Sequence, residues 1–151
     1  KEKKMYKYPL SLEITEKDIG LLTYEGIPSL QVSTPPEFQG PPGNWSPEHL
    51  YVASVQSCLM TTLLYFTRKK KVPVSAYKSH ATGILEKTDK GLIFTLITVD
   101  ATIWFPDQES HRKAGENLEH LAEKHCLISN SIKTAVKYNL EILVGKPETS
   151  K

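Results

Sequence analysis

The side chains with the clearest capacity for chemistry in this chain are two thiols. Cys58 and Cys126 are its only cysteines, 68 positions apart. Two cysteines admit three readings: a structural disulfide, two inert buried thiols, or a reactive pair. Composition by itself favours inert thiols, and a bond between them needs tertiary contact that spacing cannot supply. His49, His80, His111, His120 and His125 show no metal-ligating spacing, so no metal site is expected, and His125 beside Cys126 reads as turn packing. Ser57 and Ser129 lack a nucleophile elbow or a Ser-His-Asp context. Ser129-Asn130-Ser131 reads as the cap of a short helix, and Trp45 and Trp104 as packing anchors. Glu48 lies at the start of a long helix, where a carboxylate complements the positive end of the helix dipole.

The elements that position these residues follow from pattern. Residues 9–16 alternate apolar and polar side chains, which predicts a half-buried strand. Residues 19–24 and 29–33 read as two more strands around a turn at 25–28. Residues 35–44 are dense in proline and glycine and form a loop. Ser46 is a good N-cap and Pro47 suits the first helical position. Nothing then breaks a helix until about Lys71, where Arg68, Lys69, Lys70 and Lys71 meet its negative end and Pro73 follows. Residues 50–67 of that helix carry no charge and are apolar on nearly every side. A helix of this kind is buried in the centre of a fold or at a subunit interface.

Residues 74–87 and 91–104 predict a hairpin turning at 87–91. Asp107 caps a second helix running to about His125, Cys126 opens a segment that becomes helical near Ser129, and residues 138–144 form a last strand. The class is α+β, a single domain over residues 1–151 with flexible ends at 1–8 and 146–151.

Composition narrows the function. A net charge of +2 over 151 residues gives no argument for a nucleic-acid partner. Ser54, Gln56, Ser57, Thr61 and Thr62 interrupt the most apolar stretch and argue against a membrane span. The opening Lys1-Glu2-Lys3-Lys4 is not followed by the apolar run of a signal peptide. The expected compartment is therefore the cytoplasm, where a permanent disulfide is disfavoured.

Taken together, these pieces resemble the OsmC/Ohr (organic hydroperoxide resistance) family. The resemblance is carried by Ser46-Pro47-Glu48-His49-Leu50, by Cys58 further along the apolar helix, by the Gly91-Leu92 turn before a strand, and by Cys126 followed by Ser129-Asn130. It covers roughly residues 29–144. It implies antiparallel sheets wrapped around a long buried central helix, in an intertwined homodimer with two sites at the subunit interface. It also implies a cysteine-based peroxidase acting on organic hydroperoxides, with Cys58, Cys126 and Glu48 as its catalytic residues. On that pattern Cys58 becomes a sulfenic acid, Cys126 resolves it as a disulfide, and an external, lipoyl-type dithiol restores the pair. No metal, flavin or haem is implied. Apolar surroundings for Cys58 suit an alkyl or lipid hydroperoxide better than hydrogen peroxide.

One departure stands out. The family holds an arginine against the helix-start glutamate, whereas the two arginines here, Arg68 and Arg112, both follow Glu48. Lys17 is the nearest cationic substitute upstream, and a lysine cannot reproduce a bidentate guanidinium–carboxylate pair. Glu48 precedes Cys58 by ten positions, about 15 Å of rise on a straight helix, so Glu48 is expected to serve the Cys58 pocket of a second chain. The alternative reading is a protein of the same fold without peroxidase activity, binding a small hydrophobic ligand at the dimer interface.

Overall fold

A computed structural model describes residues 3–148. The chain forms two compact units, Lys1–Tyr51 and Val52–Lys151. The ends expected to be flexible fall partly outside the described residues; residues 3–10 are exposed and carry no helix or strand.

The first unit is a meander of three antiparallel strands, β1 (Ser11–Glu16), β2 (Ile19–Tyr24) and β3 (Ile27–Val32), hydrogen-bonded in that order. The proline-rich segment after β3 folds back on itself. Ser33 N–H donates to the Trp45 carbonyl at 2.9 Å, and a single 3₁₀ turn spans Pro36–Phe38. β1 was expected to be half-buried, and its apolar-polar alternation is real, but all six of its residues are exposed within this chain. Leu12 and Ile14 are 66% and 77% exposed, so the face that the alternation builds has no cover here.

The long helix α1 (Pro47–Lys69) begins in this unit and continues into the next. Its start is capped on both sides of one turn. His49 N–H donates to Ser46 Oγ at 3.2 Å, and Ser46 N–H donates to His49 Nδ1 at 3.1 Å. This is the reciprocal arrangement of a capping box with a histidine in the usual Glu position. Within the chain the helix is buried along one stripe, Val55, Cys58, Leu59, Leu63 and Thr67, and Tyr65 on another face is 52% exposed. By length and composition α1 is apolar enough to cross a membrane, a test that the core helix of a folded domain also passes. Its buried stripe packs within the chain's own fold.

The second unit is one three-stranded sheet with helices on it. β4 (Ala76–Thr88) and β5 (Gly91–Phe105) form the expected hairpin, closed by Asp89 and Lys90. β5 alternates strictly, with Ile97, Val99, Ala101, Ile103 and Phe105 all buried, which fixes the core face. β6 (Ala135–Val144) pairs with β5 in parallel. This corrects the expectation of antiparallel sheets only. The chain leaves β5 and returns after a helical crossover, which permits parallel entry where a tight hairpin would forbid it.

That crossover is not one helix. α2 (Gln108–Ala114) and α3 (Leu118–His125) are separated at Gly115, whose φ of +87° favours glycine. Asp107 caps α2 as expected, accepting from Ser110 N–H at 2.8 Å. Lys70, just past the end of α1, donates to the freed Ala114 carbonyl. Helix α1 lies close on β4: a Cβ at Gly83 would stand 2.4 Å from Val52 Cγ2 and 3.0 Å from Phe94 Cε1. Nearby, Gln56 Nε2 donates to Ser79 Oγ at 3.0 Å. The hydroxyls of Tyr77 and Tyr138 meet at 2.9 Å. Their partner positions on β5 are Ile103 and Val99, and the small side chain of Ala101 between these leaves room for the two rings.

Candidate functional site

The two thiols come from different elements. Cys58 sits on the buried stripe of α1, 9% exposed, with its Sγ 3.9 Å from Thr62 Oγ1 one turn further on. Cys126 is the residue that ends α3. Its backbone turns extended (φ −69°, ψ 104°), and its side chain is 0% exposed. Both are free thiols.

The chain after Cys126 is tied back on itself. Asn130 N–H donates to the Cys126 carbonyl at 3.0 Å, and Asn130 Nδ2 to the Lys124 carbonyl at 3.0 Å. A 3₁₀ turn covers Ser129–Ser131. Its serines do not cap it, contrary to expectation. Ser129 Oγ donates to the Cys126 carbonyl at 3.1 Å and Ser131 Oγ to the Leu127 carbonyl at 2.7 Å. Such back-bonding satisfies carbonyls left open at a helix end, and here it holds Ser129 against Cys126.

Through tertiary packing the fold brings Cys58 near enough to Cys126 to bear on its thiol. Burial pushes the Cys126 thiol up. The neighbouring Ser129 opposes that, and the nearby Cys58 pushes it further up. Cys126 is therefore held toward its neutral, protonated form. A recess of about 200 Å³ is lined by Leu59, the residue after Cys58, and by Glu123, Ser129, Asn130, Thr134 and Val136. At its rim, burial and then the charge of Glu119 push the Glu123 carboxyl up.

The remaining candidates lie elsewhere. Glu48 occupies the first turn of α1, in the first unit. Its Oε1 is shut off from solvent and has no hydrogen-bond partner among the described residues, so Lys17, exposed at the turn after β1, does not bind it. His49 is consumed by the helix cap, and the His125 ring packs against Phe66 with centroids 5.3 Å apart. Among the described residues no three His, Cys, Asp or Glu side chains gather as metal ligands would. Sequence reasoning passed over Thr62 and the bearing of Ser129 on the Cys126 thiol. The available signal was spacing, since Thr62 follows Cys58 by four positions and Ser129 follows Cys126 by three.

Comparison with known proteins agrees with this architecture. The family model described as OsmC-like protein matches residues 40–141. No curated protein matches the chain. Among solved structures, an OsmC-like protein of unknown function from Vibrio cholerae superposes with a TM-score of 0.76 at 23% identity, covering 90% of this chain and 99% of that one. An organic hydroperoxide resistance protein OsmC from Legionella pneumophila gives 0.67 at 22% identity, covering 93% and 98%. An organic hydroperoxide resistance protein from Elizabethkingia anophelis gives 0.66 at 17% identity, covering 97% and 100%. At these identities the superpositions show the shared fold.

Proposed function

The chain belongs to the OsmC-like family, and from that premise we propose that it reduces organic hydroperoxides with Cys58 and Cys126, as a cytoplasmic antioxidant enzyme. The observation that carries this reading is that two buried free thiols on separate elements lie near enough for one to perturb the other. The Cys58 thiolate attacks the outer peroxide oxygen. The O–O bond breaks, the alkoxide leaves and takes a proton to become an alcohol, and Cys58 is left as a sulfenic acid. Cys126 then attacks the Cys58 sulfur, water leaves, and a Cys58–Cys126 disulfide forms. An external dithiol returns the pair to thiols and is itself oxidised to a disulfide. The division of labour follows from the surroundings of the two thiols, because burial holds the Cys126 thiol up while Cys58 keeps some exposure.

Glu48 is assigned to the site from a second copy of the chain, in a homodimer. Its solvent-excluded, unpartnered Oε1 is a carboxylate oxygen that wants a donor, and burial without one is costly. The same atom favours a second reading. On that reading a chain with no arginine before Glu48 and, among the described residues, no donor on Glu48 Oε1 has lost the peroxidase step and keeps a pocket for a small hydrophobic molecule.

Turnover separates the two. With cumene hydroperoxide and dihydrolipoamide, the wild-type protein consumes peroxide catalytically, and Cys58→Ser lowers the rate by about 10³-fold or more, as loss of a nucleophile does. Cys126→Ser reacts once and stops at the sulfenic acid, which dimedone captures on Cys58. Wild-type protein no faster than Cys58→Ser supports the binding protein instead.

A further inference from the structure

Hydroxyl side chains inside a helix ordinarily turn back to a carbonyl of the preceding turn. On α1, Ser57 Oγ donates to the Ala53 carbonyl at 2.7 Å, Thr61 Oγ1 to the Cys58 carbonyl at 3.1 Å and Thr67 Oγ1 to the Leu64 carbonyl at 3.0 Å. Thr62 differs. Its Oγ1 lies 3.9 Å from the Cys58 sulfur, and the Cys58 carbonyl four residues back is taken by Thr61. Residues 58 and 62 are one turn apart and share a face of the helix. That stripe is apolar: Val55, Leu59 and Leu63 are 0% exposed and Cys58 itself 9%. A thiolate in such surroundings is disfavoured unless a donor or a cation compensates. No arginine precedes Glu48, and a hydroxyl one turn on is the donor that this helix supplies.

We propose that Thr62 is a further catalytic residue, whose hydroxyl donates to the Cys58 thiolate in place of a cation. At 3.9 Å the contact between the two neutral groups is loose. A charged sulfur draws the hydroxyl in, as catalytic hydrogen bonds tighten once charge is present. The chemical step keeps its balance. The sulfur bonds to the outer peroxide oxygen, the O–O bond breaks, the charge passes to the departing alkoxide, and Thr62 keeps its own proton throughout. The donor acts on the rate in two opposed ways. It raises the share of Cys58 that is ionised, by about tenfold for a hydrogen bond to a charged group. It also lowers the nucleophilicity of each thiolate, by about half as much on a logarithmic scale. The net gain is about threefold while ionisation is incomplete, and the net cost is about threefold once Cys58 is fully ionised.

This inference rests on Cys58 as the attacking thiol of the proposed function but not on the peroxide, so its test uses a neutral disulfide. Cys126→Ala isolates Cys58 and adds no new hydroxyl beside it. Thr62→Val, of the same shape without the donor, and Thr62→Ser are made in that background. Release of 4-thiopyridone from 4,4′-dithiodipyridine is followed across neutral and alkaline pH. Thr62→Val should react about threefold more slowly than the parent near neutrality and about threefold faster on the alkaline plateau, so that the two profiles cross. Thr62→Ser should follow the parent. A merely structural change scales the rate by one factor at every pH. Coincident profiles, parallel profiles, or a Thr62→Ser that tracks Thr62→Val overturn the proposal. Crossing profiles in a protein whose Cys58 is untouched by cumene hydroperoxide overturn only the peroxidase. Coincident profiles in a protein that turns over the hydroperoxide overturn only the role of Thr62.

Discussion

The chemistry of this protein turns on two sulfur atoms with different surroundings. Burial and the neighbouring Cys58 both hold the Cys126 thiol above its ordinary value of 9.0, against the opposing effect of Ser129. A raised thiol stays neutral as pH climbs, so its thiolate population and its alkylation rise only above pH 9. Iodoacetamide titrations read by mass spectrometry should therefore modify Cys58 first at pH 8, with Cys126 following as the pH is raised further. Equal labelling of the two at pH 8 contradicts the assigned roles. Both cysteines and Glu48 could be nominated from the sequence because the surrounding residues carry a family pattern. Ser129 was legible only as a turn former, because its bearing on the Cys126 thiol depends on how α3 ends. Lys17 illustrates the opposite limit: charge and position along the chain nominated it, and the fold leaves it exposed at a turn, away from Glu48 Oε1.

At the scale of elements, the site depends on α1 lying close enough to β4 for Cys58 to stay in the core. Gly83 is where that closeness is tightest. A methyl there meets Val52 Cγ2, on a branched side chain with little freedom to turn away, and overpacking of this kind costs about 1–3 kcal/mol. Gly83→Ala should accordingly lower the urea midpoint through overpacking, whereas Gly91→Ala, with open space around it but φ of +94°, acts only through backbone strain in the hairpin turn. Similar midpoints for wild type and Gly83→Ala would show that the helix can move outward freely. The hairpin, the long helix and its cap were readable because each rests on local signals: alternation, a Ser-Pro-Glu start, a basic end. The break at Gly115 was missed because apolar spacing continues across it and a lone glycine is tolerated inside many helices. The parallel register of β6 was unreadable for another reason, since strand direction is set by the crossover rather than by the strand.

At the scale of the whole molecule, the first unit leaves apolar surface uncovered. Leu10, just before β1, and Leu12 and Ile14 on it are each more than 60% exposed at alternate positions, and a recess of about 400 Å³ lined by Tyr8, Leu22, Tyr24 and Leu30 lies on the same unit. Monomeric proteins seldom expose so much contiguous apolar area, and a second copy of the same chain is the proposed cover. Sedimentation should show a dimer, and Leu12→Glu with Ile14→Glu should shift it toward monomer. A monomeric wild-type protein would leave Glu48 with no second chain to serve. The most direct test of the account is single-turnover oxidation: reduced protein receives one equivalent of cumene hydroperoxide, is quenched with N-ethylmaleimide within seconds, and its disulfides are mapped. The account predicts a near-stoichiometric Cys58–Cys126 bond within one chain, with one equivalent of cumyl alcohol released. Free thiols on both residues, or scattered oxidation of methionine and cysteine without that bond, would contradict it.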